Sequence, residues 1–294
     1  MASGIWTSVS GASAQAQNVD MVANNLANAD TMGFKKDLPT FSEYLATKER
    51  EHLGVEIPRG AIKNRELYPL DQKDQAFVVV DGTYTNFKQG NLRVTQSPLD
   101  VAMDGAGFLE VNTPKGVRYT RQGSLHVAAD GRLVTSEGNA VLATTPGGLA
   151  APNAPGAPPV PAELTGRGPA GANPSEAARF INLRDRPGPY SINGQGELYS
   201  GDELIAKLSV VEFGDQRKLR KVGGQSFENP DPTNVSKNPS KTIVRQGVLE
   251  TSNVNPVEEM TNLIKANRLF EHDLKVMKTY GELMQREAND IGKL

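Results

Sequence analysis

The chain has 294 residues, with 32 basic against 34 acidic side chains and a net charge of −2. That length suits one large or two ordinary domains, and the charge balance excludes a nucleic-acid binder driven by bulk charge. The absence of cysteine excludes disulfide scaffolds, thiol nucleophiles and cysteine-based zinc sites.

The first 35 residues are almost uncharged. Ile5, Val9, Ala12, Ala16, Val19, Ala23 and Leu26 recur at alternating steps of four and three, a heptad seam. At 1.5 Å per residue the seam predicts ~32 Å of helix. Its many alanines allow a partner helix to come close. Gly33, after Thr31-Met32, is the expected C-cap. Met1–Trp6 has neither a basic n-region nor an apolar h-region, so no cleaved leader is expected. No stretch approaches the 18 apolar residues of a membrane span.

Residues 36–95 read as an extended, loop and hairpin connection. Within it, Thr47–Asp74 is a charge-rich, insertion-like segment, and Ala76–Asp81 is an apolar strand candidate. The middle of the chain, 96–143 with 176–251, reads as β. Leu99–Val111 holds two short apolar runs around Asp104-Gly105. Tyr119–Val127 and Arg132–Thr135 flank Asp130-Gly131, and Tyr190–Ile192 and Glu197–Tyr199 flank Asn193-Gly194; both are hairpin signals. Leu208–Phe213 and Thr242–Leu249 are further strand candidates. Short strands with such turns suit an antiparallel meander or small barrel. Between them, Thr144–Ser175 carries eight of the 19 prolines among Ala and Gly, a composition that predicts a loop or extended insertion outside any core.

The last 40 residues are helical by pattern. Met260, Leu263, Asn267, Phe270, Leu274, Met277, Gly281, Met284, Ala288 and Ile291 again alternate steps of three and four, spanning ~46 Å. Asn255 as N-cap, Pro256 at N1 and Glu258 at N3 mark the start. Two heptad helices at the ends and strands between them give an α+β chain. The expected arrangement pairs the helices, 1–35 with 252–294, as a coiled-coil assembly domain beside the central β domain.

No constellation carries chemistry. Gly105-Ala106-Gly107 lacks the third glycine and following helix of a dinucleotide cradle and reads as a hairpin or bulge. His52, His126 and His272 have no companion ligand at metal spacing. Glu258-Glu259 has the simpler role of acids in a first helical turn. Arg217, Lys218, Arg220 and Lys221 read as a solvated loop or hairpin before they read as a contact with an acidic polymer or neighbouring subunit. Without a nucleophile–base pair, catalytic residues, cofactor or metal site, the expectation is a protein that is not an enzyme.

The segment Val22-Ala23-Asn24-Asn25-Leu26-Ala27-Asn28-Ala29-Asp30-Thr31-Met32-Gly33-Phe34-Lys35-Lys36 closely resembles the N-terminal signature of the flagellar rod and hook family. Gly247–Met260 (GVLETSNVNPVEEM) resembles its C-terminal signature, and Arg268-Leu269-Phe270-Glu271 its R-x-Y-E, with Phe for Tyr. Gln96–Leu109 and Tyr119–Ser124 are similar to its central β domain. Ser252–Ile264 is most similar to the proximal-rod members, while Ile5-Trp6 and Glu250–Val254 suit distal-rod members as well. Asn267, Gly281 and the Pro-rich insertion depart from the family pattern.

The resemblance implies a structural subunit of the basal-body rod. Its terminal helices would polymerise with its own copies and with proximal- and distal-rod subunits into a hollow helical tube that transmits torque and passes exported subunits. It also implies passage through the flagellar export apparatus without a cleaved signal, to a rod spanning the periplasm, and no cofactor, nucleic acid or small-molecule substrate. The residues it assigns to assembly are Asn24, Asn25, Leu26, Asn28, Thr31, Gly33, Phe34, Ser252, Asn253 and Val254, with the helix seam at Ile5, Val9, Val19, Leu26, Met260, Leu263, Phe270, Leu274, Met277 and Met284. Two other classes stay open on the residues alone. One is a soluble coiled-coil binding module, which a concentration-independent monomer would favour. The other is a cell-wall polysaccharide enzyme, which would need a carboxylate pair in a cleft.

Overall fold

The low-charge N-terminal segment forms helix α1, Ala2–Ala27, and the capped C-terminal segment forms α2, Pro256–Ile291. The structure, a computed structural model, describes residues 2–46, 75–144, 179–184, 188–223, 225–236 and 241–291. The Thr47–Asp74 segment and all but the first residue of the Thr144–Ser175 insertion lie outside the described residues. With the antiparallel strands between its helices, the chain is α+β.

Helix α1 ends earlier than Gly33. Asn28 and Thr31 break it with a side-chain turn, Thr31 Oγ1 donating to Asn28 Oδ1 at 3.3 Å and Thr31 N to Asn28 O at 3.2 Å. Asn favours such local bonds over helix continuation. Gly33, at φ 74°, therefore closes the following turn and is not the helix cap. Helix α2 starts where Pro256 and the acids Glu258 and Glu259 place it.

The chain divides into two units. The first takes α1 to Leu26, the two-stranded sheet of β1 (Asp37–Ala46) and β2 (Gln75–Thr85), and α2 from Pro256. Inside it, Val78 N donates to Ser10 Oγ at 3.4 Å, and a Cβ built on Gly11 would lie 3.4 Å from Asp273 Oδ2. β1 lies in the segment read as an extended, loop and hairpin connection, but no strand was named there, since Pro39 and its polar residues hide any alternation.

The second unit is the β body, Ala27–Lys36 with Thr85–Asn255. Among the described residues its main sheet has eight strands. β5 (Phe108–Thr113) pairs β6 (Gly116–Thr120) on one edge. The other edge is shared by β9 (Ala140–Val141) and β13 (Val210–Val211). β7 (Leu125–Val127) and β8 (Leu133–Thr135) form the hairpin about Asp130-Gly131 and extend the sheet through β9. β14 (Arg220–Lys221), where the basic run read as a loop or hairpin, pairs β15 (Ser226–Glu228), a strand not named from sequence, and the two extend the sheet beyond β6. The expected strand Tyr119–Val127 is in fact split by Arg121-Gln122-Gly123. A Cβ at Gly123 would meet Val101 O at 1.6 Å, so the backbone must pass there bare.

β10 (Tyr190–Ile192), β11 (Glu197–Ser200) and β12 (Glu203–Lys207) make a three-stranded sheet, with Asn193-Gly194 in the first turn. Two long-range pairs complete the body. β4 (Val101–Asp104) pairs β16 (Ile243–Gln246), and β3 (Leu92–Val94) pairs β17 (Val248–Glu250). Thr242–Leu249 is thus two strands, broken at Gly247 with φ 68°. Gly105-Ala106-Gly107 is not a hairpin, because β4 and β5 belong to different sheets. One core gathers Val101, Met103, Leu109, Leu133, Val141 and Leu198. A smaller aromatic core gathers Phe108, Phe213 and Phe227, edge to face or tilted against one another and Phe87.

Candidate functional site

The N-terminal signature has one buried polar residue on its helix. Asn25, 1% exposed, reaches the backbone of Asp37: its Nδ2 donates to Asp37 O at 2.8 Å, and its Oδ1 accepts from Asp37 N at 3.0 Å. Asn24 is exposed and Leu26 half-buried.

Beyond the turn at Asn28 and Thr31, the two signatures meet inside the β body. Gly33 N donates to Glu250 O at 2.8 Å, and Asn253 N to Phe34 O at 3.4 Å. Asn253 also clamps both sides: Lys36 N donates to its Oδ1 at 2.8 Å, while its Nδ2 donates to Asn86 O at 2.7 Å and Lys88 O at 3.0 Å. Ser252 Oγ accepts from Val254 N at 3.2 Å, and both residues are buried. The structure therefore brings Gly33, Phe34 and Asn253 together, with Asn25 fastened to Asp37 nearby in sequence.

At the centre is an ion cluster absent from the expected site. Lys35, Glu250 and Arg121 are among the largest fully buried side chains. Lys35 Nζ lies 2.5 Å from Glu250 Oε1 and donates to Lys88 O at 2.8 Å. Gly90 N donates to the same Oε1 at 2.8 Å, and Arg121 Nη1 lies 3.4 Å from Oε2. The Arg121 guanidinium also covers the Phe108 ring at 4.6 Å, while its buried Nε has no partner. Burial holds both cations below their ordinary pKa values, and the Glu250 carboxylate opposes that shift in each.

Two glycines let the backbones close around this cluster. A Cβ at Gly90 would sit 2.0 Å from Thr251 O, and one at Gly33 would sit 2.7 Å from the Arg121 carbonyl. Lys221 seals the edge, its Nζ 3.9 Å from the Phe34 ring centroid and donating to Lys35 O at 3.1 Å. It leaves the expected solvated run, whereas Arg217 and Lys218 stay on the surface with Asp215 and Asp231. Lys35, Lys36 and Glu250 lay inside the quoted signatures. Their charge, inside motifs that mark the family's ends, was the available signal.

The helix-seam residues are distributed differently. On α2, Leu263, Phe270, Met277 and Met284 are half-buried, whereas Met260 and Leu274 are 52% and 42% exposed. The deeply buried positions are Glu259 and Ala266, one row over. On α1, Val9, Val19 and Leu26 are half-buried, and the Ile5 side chain lies outside the described ones. His126 and His272 are exposed, and His52 lies outside the described residues. Among the described residues no group of three or more His, Asp or Glu could hold a metal, and no helix is long and apolar enough to cross a membrane. The chemistry of the buried site is that of a fastening: backbone clamps and an ion cluster in which one carboxylate faces two cations.

Three family profiles match in chain order. Residues 5–35 match the flagella basal body rod protein family, 102–167 the flagellar hook protein FlgE/F/G D1 domain, and 245–291 the flagellar basal body rod FlgEFG protein C-terminal family. The chain is 28% identical to the flagellar basal-body rod protein FlgG of Buchnera aphidicola subsp. Acyrthosiphon pisum, covering 96% of this chain and 97% of that one. It is 29% identical to the rod protein FlgF of Caulobacter vibrioides, covering 95% and 93%, and 26% identical to FlgF of Mesorhizobium japonicum, covering 99% of each.

Proposed function

The chain belongs to the flagellar basal-body rod and hook family, and from that premise we propose that it is a FlgF-like proximal-rod subunit. Its terminal helices polymerise with its own copies and with other proximal- and distal-rod subunits into a helical tube that transmits torque and passes exported subunits. The observation that carries this reading is the order of the three profiles, with both end signatures and the middle domain present in one chain of matching length. Members of this family are structural components of the rod, so no catalytic step is assigned.

A tube of this kind needs heterologous, head-to-tail contacts, which build an open helix where a closed ring would fail. In support, α2 leaves Val257, Met260, Ile264 and Leu274 exposed, at 73%, 52%, 55% and 42%. In this reading the helices pair as coiled coils within the tube, and the Thr144–Ser175 segment is an insertion. On this reading the subunit crosses the inner membrane through the flagellar export apparatus and resides in the periplasmic part of the rod. Ser252–Ile264 supports the proximal branch. A distal-rod, FlgG-like place is the second reading, favoured by the full-length match to FlgG.

The test is deletion of the gene in its own host, followed by complementation with a tagged copy. A non-motile deletion strain, restored motility and the tag at the proximal rod in reconstructed basal bodies are expected. A tag at the distal rod would replace the first reading with the second. A motile deletion strain, or a tag absent from basal bodies, would overturn both.

A further inference from the structure

Lys35 and Glu250 are 215 residues apart and both are wholly buried. Glu250 is the only acid within bonding distance of two cations here, Lys35 and Arg121, among the described residues. Its carboxylate also receives Gly90 N, and its carbonyl receives Gly33 N. Each partner comes from a different stretch of chain: 27–36, 86–90, 121 and 250–253. A buried charge deprived of its partner is far more costly than the intact pair is favourable. Withdrawing the stretch that carries Lys35 or Glu250 therefore strands a buried charge on those that remain.

We propose that this cluster is a two-ended latch: residues 27–36 dock on the β body only when Glu250 and Asn253 are in place, so the two signature segments order together or not at all. The latch makes the docking of residues 27–36 conditional on the 250–253 segment being in place. It rests on the geometry of the β body alone and stands or falls independently of the rod assignment.

The test is native-state hydrogen exchange on the purified full-length protein in rising denaturant. The amides of Gly33, Gly90 and Thr251 bond to Glu250 O, Glu250 Oε1 and Asn91 O. They should open in one event, with a common denaturant dependence, before Leu133 and Leu142 in the core. Lys35→Met should accelerate all three by the same factor, while Leu133 and Leu142 keep their protection. Glu250→Gln, which strands two cations, should accelerate them more, roughly a hundredfold or beyond. Adding Lys35→Met to Glu250→Gln should then slow exchange relative to Glu250→Gln alone. Separate denaturant dependences for Gly33 and Gly90 in the parent protein, or a Lys35→Met effect confined to Gly33, would overturn the latch. The parent measurement decides the matter even where a variant does not fold.

Discussion

Gly33 shows how much a single residue must satisfy. Its φ of 74° lies where an L side chain is strained, and a Cβ would press on the Arg121 carbonyl at 2.7 Å. Gly138 has the same backbone sign, φ 83°, with nothing within 4 Å of its would-be Cβ. Both alanine variants carry the left-handed penalty of about 1–2 kcal/mol, but only Gly33→Ala adds a backbone clash. Gly33→Ala should therefore lower the denaturation midpoint clearly more than Gly138→Ala; equal shifts would show that the turn relaxes freely. Asn25 gives a second case. It both donates to and accepts from Asp37. Asn25→Asp keeps the acceptor, loses the donor and sets a carboxylate against the Asp37 carbonyl in a buried site. An unsatisfied buried group costs about 1–3 kcal/mol, more when charged, so Asn25→Asp should destabilise more than Asn25→Ala in urea unfolding.

At the scale of elements, local chemistry was readable and distant pairing was not. Asn255-Pro256 with Glu258 marks the start of α2, and Asp130-Gly131 and Asn193-Gly194 mark the β7–β8 and β10–β11 turns, because caps and turns depend on neighbours in sequence. The pairings β16 with β4 and β17 with β3 join segments about 140 residues or more apart and leave no local pattern. The same holds for the site. Both signatures were legible as motifs, but the ion pair of Lys35 with Glu250, and the part of Arg121 in it, depend on contacts only the fold creates. Two short 3-10 turns, Gln216–Lys218 and Pro232–Asn234, were also invisible, yet each is capped by an aspartate. Asp215 accepts from Arg217 N, and Asp231 from Thr233 N, both at 3.0 Å. The Arg217 and Thr233 side chains respectively lead in holding these carboxyls below the usual aspartate range. A lowered acid pKa contributes stability above its unfolded value, near 3.8, and loses it as pH falls through the folded one. The Arg217 and Thr233 amides should keep their chemical shifts from pH 7 to 5 and move together with acid titration below about pH 4. Shifts that change instead near neutrality would show that these caps do not control the turns.

At the scale of the whole molecule, the rows of α2 differ in burial, and on the proposed rod reading the exposed row is the one that would join chains. Glu259 and Ala266 are buried in the free chain, at 1% and 2%, and Phe270 is half-buried. Met260 and Ile264 are over half exposed there, though their spacing with Val257 puts all three on one apolar stripe. Replacing exposed side chains changes the stability of a free chain by little, about 0.5 kcal/mol. In a tube where that stripe meets other helices, two carboxylates would lose water without gaining partners, at a cost of several kcal/mol, roughly 2–7 for even an uncharged polar group. Met260→Asp with Ile264→Asp should therefore leave the melting temperature of the monomer within a few degrees of the parent and abolish rod assembly and swimming. Phe270→Asp should lower the melting temperature as well as block assembly. Lys265→Asp and Lys278→Asp carry the same poor helix propensity of Asp, about 0.7 kcal/mol against Ala, at exposed sites off the stripe, and should leave both readouts nearly intact. Cells carrying the double substitution that swim like the parent would remove α2's exposed stripe from the subunit interface. If Lys265→Asp proved as damaging as the double substitution, the loss would trace to helix propensity and the stripe would have no special part in assembly.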